Sequence, residues 1–364
     1  MTALRGAQPR VRLAAPKDVL ATVPFLVGYH PSDSIVMLGL SEHRVSFTAR
    51  DDLPSAGEEP PEERIAYLIE IVLRQGCGRV MLVGYGGAER VTPTIEALLA
   101  GFDQAGARVV DALRADGQRY WSYLCANQRC CPRQGMPYDI SSSEVTAAWT
   151  LAGRVALRDR SEYEAQIQPI TGPAREAMHQ ATAAAHERLI ALVAAAEDED
   201  QAEGALLNAG NLAIAEALDR RLRGAAPTDE QAAWLCVLLQ SIAIRDIAWS
   251  LIRGSGSALH HHRALWQEVL HRAEPDLAPA PASLFAFAAW RGGDGGIARL
   301  ALERALDADP RYRMAILLHE AITLGLPPSA LESFPGSADT VVRRGRGGRR
   351  RKRSSKSPAG SPPA

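Results

Sequence analysis

Two short runs constrain this chain more than anything else in it. Residues 35–40 (Ile-Val-Met-Leu-Gly-Leu) and 79–83 (Arg-Val-Met-Leu-Val) are nearly all apolar. They are too short for helices and lack the alternation of a strand wetted on one face, so they read as strands covered on both sides. The chain must therefore supply layers above and below a sheet. Residues 18–27 place Val19, Leu20, Val23 and Leu26 at helical spacing and stop at Gly28. Residues 62–74 form a second helix, broken by Gly76, and a third is expected to start at Thr92 as N-cap with Pro93 as its first residue. Residues 44–49 read as the hairpin partner of 35–40. Residues 109–115 and 118–124 flank Asp116-Gly117, a two-residue hairpin signal that sets Asp111 opposite Ser122 and Arg114 opposite Arg119.

Past Ser141 the pattern becomes helical, with helices expected over 173–196, 203–223, 229–253, 257–273, 282–291, 294–308 and 312–324. The implied architecture is an α/β domain with a mixed sheet over 16–152, then an all-α helical domain over 153–334. A flexible segment, 1–15, precedes them and a disordered basic tail, 335–364, follows. Ala286, Ala289, Gly293, Ala298 and Ala305 allow close packing in one tetratricopeptide-like helical pair, too few repeats for an array. Arg245 and Asp246, adjacent on a helix, should bond elsewhere rather than to each other. The successive His260, His261 and His262 should diverge around their axis and stay at the surface.

Charge is divided unevenly. Nine of the 41 basic residues fall within 343–356, leaving 32 against 42 acidic residues in the remainder. Such a tail is suited to weak, non-specific contact with nucleic acid through 343–356, whereas the acidic body excludes a general nucleic-acid binder. Without an aromatic residue to stack on bases, the tail is equally suited to keeping the chain soluble. No apolar run approaches the ~18 residues of a membrane span, so no membrane partner is expected. Five cysteines, an odd number, do not suggest a disulfide framework. A cytoplasmic location follows as the expectation.

Several stretches are unusual enough to carry a resemblance: LATVPFLVGYHPSDSIVMLGL at 20–40, ARDDLP at 49–54, YWSYLCANQRCCPRQGMPYD at 120–139, and AAWRGGDGGIARLALERALDADPRYRMAILLHEAITLGLPP at 288–328. Together and in this order they resemble the DUF4192 family of actinobacterial proteins. The resemblance covers nearly everything but the tail. It implies no catalytic residues, because the family's function is unknown.

The chemistry must be read from the residues. Cys125, Cys130 and Cys131 form a C-x4-C-C cluster in a loop tightened by Pro132, Gly135 and Pro137. Zinc is the candidate ion for thiolates, with Cys77 or His30 as a further ligand, although neighbouring residues do not easily aim two thiolates at one ion. Small buried residues and a redox pair are the competing readings. His30, Asp33 and Ser34 unite an imidazole, a carboxylate and a hydroxyl before a strand, the catalytic set that acid-base or nucleophilic work needs; they also suit an ordinary turn. Arg114, Arg119 and Trp121 are the candidate ligand-binding residues beside the cysteines. Gly84-Tyr85-Gly86-Gly87 is a weak candidate phosphate cradle. Two functions remain open. One is an enzyme or small-molecule-binding protein with its site between the His30/Asp33 loop and the cysteine loop. The other is a non-enzymatic adaptor binding a protein partner through its helical domain.

Overall fold

The computed structural model describes residues 11–42, 44–254 and 256–333. The basic tail expected over 335–364, with its nucleic-acid contact, lies outside them, as do residues 1–10. The chain forms two units, the first ending at Leu326 and the second starting at Pro327.

Helix α1 (Pro16–Val27) opens the first unit. Its Asp18 carboxylate accepts from the amides of Ala14 and Ala15, and Gly28 ends it at φ 97°. Strands β1 (Ser34–Ser41) and β2 (Arg44–Asp52) form an antiparallel hairpin, followed by α2 (Glu62–Arg74) and β3 (Arg79–Tyr85). Helix α3 (Ala88–Gln104) connects β3 to the parallel β4 (Arg108–Ala115), and β5 (Arg119–Ser122) and the two-residue β6 (Met136–Pro137) complete a mixed sheet in the order β2-β1-β3-β4-β5-β6.

The two apolar runs are central strands, and both faces are covered. Ile35, Met37, Val80 and Leu82 face α2 and α3, while Val36, Leu38, Val83 and Leu113 face Val19, Leu20 and Val23 of α1. Each such buried side chain contributes roughly 1.5–3 kcal/mol of hydrophobic stabilisation.

Two expectations within this half are corrected. Helix α3 begins at Ala88 rather than at Thr92, because the amides of Arg90 and Val91 already bond to the Gly87 carbonyl, so Pro93 lies inside the helix. The β4–β5 register is shifted by two residues from the expected one, so that Arg114 pairs with Trp121 and Leu113 with Ser122. The Asp116 carboxylate causes this by accepting from the amides of Gln118 and Arg119, which moves the turn one residue along. The feared Arg114–Arg119 repulsion does not arise.

The helical region runs through α4 (Glu144–Leu151), α5 (Arg160–Ala165), α6 (Pro173–Ala194), α7 (Glu199–Leu222), α8 (Asp229–Leu238), α9 (Ile242–Leu251), α10 (Ser257–Arg272), α11 (Pro279–Arg291), α12 (Gly295–Ala308) and α13 (Arg313–Thr323). The single helix expected over 229–253 is two, α8 and α9, bent by 115°. Among the described residues no single helix is long and apolar enough to cross a membrane. Arg245 and Asp246 do pair with each other, at 2.7 Å, since the long guanidinium arm folds back over its neighbour while also reaching the Tyr312 hydroxyl. His262 is buried rather than at the surface.

Residues 157–163 fasten the sheet to the helices. Leu157 exchanges backbone hydrogen bonds with Gly28 and His30, and Arg160 bonds both Asp52 oxygens at 2.9 and 3.0 Å. Tyr163, 3% exposed, packs on Tyr29 and donates its hydroxyl to Asp294, the N-cap of α12. A Cβ at Gly28 or at Gly296 would collide with the Tyr163 ring or hydroxyl, at 2.7 and 2.8 Å. Replacing Tyr163 with Phe leaves a half-buried carboxylate short of one donor and should cost about 1–3 kcal/mol. Chemical denaturation of the two proteins side by side measures this; an unchanged midpoint contradicts the role given to the hydroxyl.

Candidate functional site

The cysteine loop is built outward from a half-buried carboxylate. Asp111 on β4, whose pKa burial raises against two compensating hydrogen bonds, accepts from the Ser122 hydroxyl. That hydroxyl accepts in turn from the amides of Leu124 and Cys125, which starts the loop. Asn127 then makes the turn: its carbonyl accepts from the amides of Cys130 and Cys131, and its side chain from Arg129. The return limb is tied down from β5. Trp121 donates its indole N–H to the Arg133 carbonyl, Arg119 donates to the carbonyls of Gln134 and Gly135, and the Arg114 guanidinium lies 3.6 Å over the Trp121 ring. Gly135, at φ 77°, presses on the same indole so closely that a Cβ would stand 2.5 Å from it. Arg114, Arg119 and Trp121 thus hold the loop against the sheet.

The Asn127 turn brings all three thiols together, with every Sγ within 4.8 Å of the others. Cys125 and Cys130 are 3.1 Å apart, Cys130 and Cys131 3.8 Å. The expectation that adjacent residues diverge fails here, because this turn folds both side chains of the Cys130-Cys131 pair back toward Cys125. Thiol donation from Cys130, then from Cys131, holds Cys125 below the ordinary thiol range. The same contact with Cys125 raises Cys130, and desolvation followed by the bonds to Cys125 and Cys130 pushes Cys131 up to about 12. Cys77 is not part of the cluster; it is buried among Gly39, Ser41 and Ser46.

The His30 loop precedes β1. β3 and β4 separate β1, which follows this loop, from β5, which leads into the cysteine loop, a lateral span of roughly 14 Å at ordinary strand spacing. His30 is exposed, its imidazole held below its ordinary pKa by partial desolvation. Asp33, in a left-handed conformation at φ 43°, is paired with Arg90 at 2.5 Å. Arg90 also donates to the carbonyls of Leu53 and Pro54, so the pair ties the start of β1 to the end of β2 and to α3. The Ser34 hydroxyl is fully buried without a partner. At the glycine turn the Glu89 carboxylate folds against Gly87, placing negative charge where a phosphate would need amides.

Sequence reasoning missed a cleft of about 590 Å³ between the end of α1, the segment after α4, helix α10 and the α11–α12 turn. Its lining residues come from three separate stretches, 25–28, 149–166 and 256–294, so no local motif announces it.

The profile of the family described as "Domain of unknown function (DUF4192)" matches residues 16–329, which takes in the whole sheet and every helix from α1 to α13. The chain belongs to the DUF4192 family. No curated protein and no solved structure matches it. Within this DUF4192 chain the cysteine loop is the densest set of chemically reactive side chains described above.

In reduced, metal-free protein Cys125 should alkylate first as pH rises, ahead of Cys130 and Cys131. Cys130→Ala removes the strongest donor to the Cys125 thiolate, which raises its pKa and slows its alkylation at pH 7. Mass-spectrometric time courses with iodoacetamide check the order; equal rates for the three thiols would contradict it.

Proposed function

We propose that this DUF4192 protein is a metal-binding protein that holds one thiophilic divalent ion, zinc by its donor set, on Cys125, Cys130 and Cys131. The observation that carries the reading is the convergence of the three Sγ atoms. Thiolates about 2.3 Å from one tetrahedral zinc stand ~3.8 Å apart. The Cys130–Cys131 separation is 3.8 Å, and the Cys125–Cys130 separation of 3.1 Å needs to open by only about 0.7 Å. Cys125, the thiol held below its ordinary range, supplies the first thiolate, and an arriving cation lowers the pKa of the other two thiols so that they lose their protons to water. Three protein ligands leave one coordination position for water or a small molecule, the arrangement of zinc sites that do more than brace a fold.

A second reading has its own support. The Cys125–Cys130 distance is shorter than a shared ion would set, which suits a dithiol pair that a peroxide or disulfide oxidant would convert to a disulfide, with two protons and two electrons leaving together.

Untagged protein purified under reducing conditions should carry about one equivalent of zinc, and Cys130→Ser should lose it together with several degrees of Tm. Apo protein that folds normally and takes up no zinc in equilibrium dialysis at pH 7.5 overturns the metal reading. If that apo protein also yields a Cys125–Cys130 disulfide on mild oxidation, the dithiol reading replaces it.

A further inference from the structure

A second cavity, of about 310 Å³, opens between the end of β2, the segment after it and helix α2, at the small end of the range of roughly 300–1,000 Å³ that small-molecule sites occupy. The buried part of its lining is apolar, with Ile35, Leu53 and Leu68. The charged part is acidic: Asp51, Asp52, Glu58 and Glu59 stand against the single Arg64. Two of those carboxylates are committed. Asp51 takes two hydrogen bonds from the Arg64 guanidinium, and Asp52 pairs with Arg50 at 2.6 Å and with Arg160 at 2.9 Å. Glu62 and Glu63 follow in the first turn of α2, where the helix N-terminus answers their charge. The unanswered charge belongs to Glu58 and Glu59, which are exposed and whose side chains have no hydrogen-bond or ion-pair partner among the described residues.

An independent observation comes from the other side of the cavity. Thr94 of α3 lines it and is only 3% exposed. A threonine inside a helix can give its hydroxyl to the carbonyl four residues back, as Thr150 and Thr182 do here. The Thr94 hydroxyl makes no such bond and is buried without any partner. Buried hydroxyls are ordinarily satisfied, so this one is left to what fills the cavity.

We propose that this cavity binds a small organic cation, a primary amine on a short apolar body. Glu58 and Glu59 take the ammonium, the body packs against Ile35, Leu53 and Leu68, and the far end of the ligand hydrogen-bonds the Thr94 hydroxyl. Two exposed carboxylates can share the three donors of an ammonium while water completes its shell. The hydroxyl selects for a polar group at depth, because a ligand without one leaves it unpaired. The cavity shares no residue with the cysteine loop and does not depend on a metal there.

Calorimetric titration of the full chain with tyramine, phenethylamine and the neutral 2-phenylethanol tests the proposal. Tyramine should saturate a single site, with phenethylamine severalfold weaker and 2-phenylethanol at least tenfold weaker again. Glu58→Gln/Glu59→Gln, at exposed positions with no partner to lose, should weaken tyramine at least tenfold. Thr94→Val exchanges the orphaned hydroxyl for a methyl. It should not lower Tm, and it should bring tyramine down to the affinity of phenethylamine, whose own binding it leaves unchanged. Binding of 2-phenylethanol as tight as that of phenethylamine overturns the proposal. So does tyramine affinity unaffected by either substitution, or the failure of tyramine to bind at concentrations up to about 10 mM.

Discussion

The first unit depends on the burial of one phenol. Tyr163 stands between two glycines from opposite ends of its fold, Gly28 after α1 and Gly296 at the start of α12, and its hydroxyl meets Asp294. A ring of this size can enter only where the backbones on both sides lack a Cβ. Its desolvation raises the phenol pKa well above the ordinary value, aided by the adjacent Asp294 charge, so the group remains a donor at any physiological pH. A neutral donor to a carboxylate that Arg263 already compensates is a stable combination: the charge is paired and the hydroxyl is satisfied. Around it the bonds of Leu157 and the Arg160–Asp52 pair add backbone and electrostatic fastening, but those groups are more exposed and more easily screened.

This fastening also determines where clefts form. The sheet region and the helices touch through Tyr163 and, at another point, through Tyr67, which donates to the Thr323 carbonyl, and Gln75, which donates to Gly325. Between contact points that hold two curved bodies together, space is left. The large cleft has Tyr163 as one wall for this reason, facing a wall from α10 and α11, which pack directly on each other.

Much of the sheet could be read from residue order because its determinants are local. Ile35 to Leu40 and Arg79 to Val83 are short apolar runs whose meaning does not depend on distant residues, and Gly28 and Gly76 end helices by a backbone conformation they alone adopt readily. The errors came where a local hydrogen-bond acceptor, backbone or side chain, competed with the pattern. Asp116 moved the hairpin turn, Gly87 began α3 a turn earlier than Thr92 suggested, and Asn127 gathered thiols that adjacency alone should have separated. The break between α8 and α9 escaped because only Gln240 and Ser241 interrupt the apolar residues there; Leu239, 1% exposed, is as buried as α8 before it. The cysteine cluster was visible as composition but not as geometry. The surroundings of the His30 loop were not legible either, because sequence cannot show that Arg90 engages Asp33 from α3.

The placement of the cysteine loop follows from the needs of the sheet. β2, one edge, bears Arg44, Ser46, Thr48 and Arg50 in alternation, charge and hydroxyls that discourage another chain from pairing there. The other side ends in β5, four residues long, with only two residues of β6 beyond it, so the edge is protected by brevity and by the loop that folds back across it. Holding that loop closed costs conformational entropy, since β5 and β6 share few backbone bonds. The Arg114–Trp121–Gly135 stack supplies part of the compensation from the sheet side. Three thiols at the far side of the loop are placed where a bound ion would supply the rest, by linking Cys125 at the exit of β5 to Cys130 and Cys131 on the return limb. A disulfide between Cys125 and Cys130 would link the same two limbs. Either chemistry therefore closes the edge that the short strands leave weakest, and edge protection alone does not distinguish them. The distinction lies in Cys131: a disulfide leaves it without a role, whereas a metal uses all three thiolates.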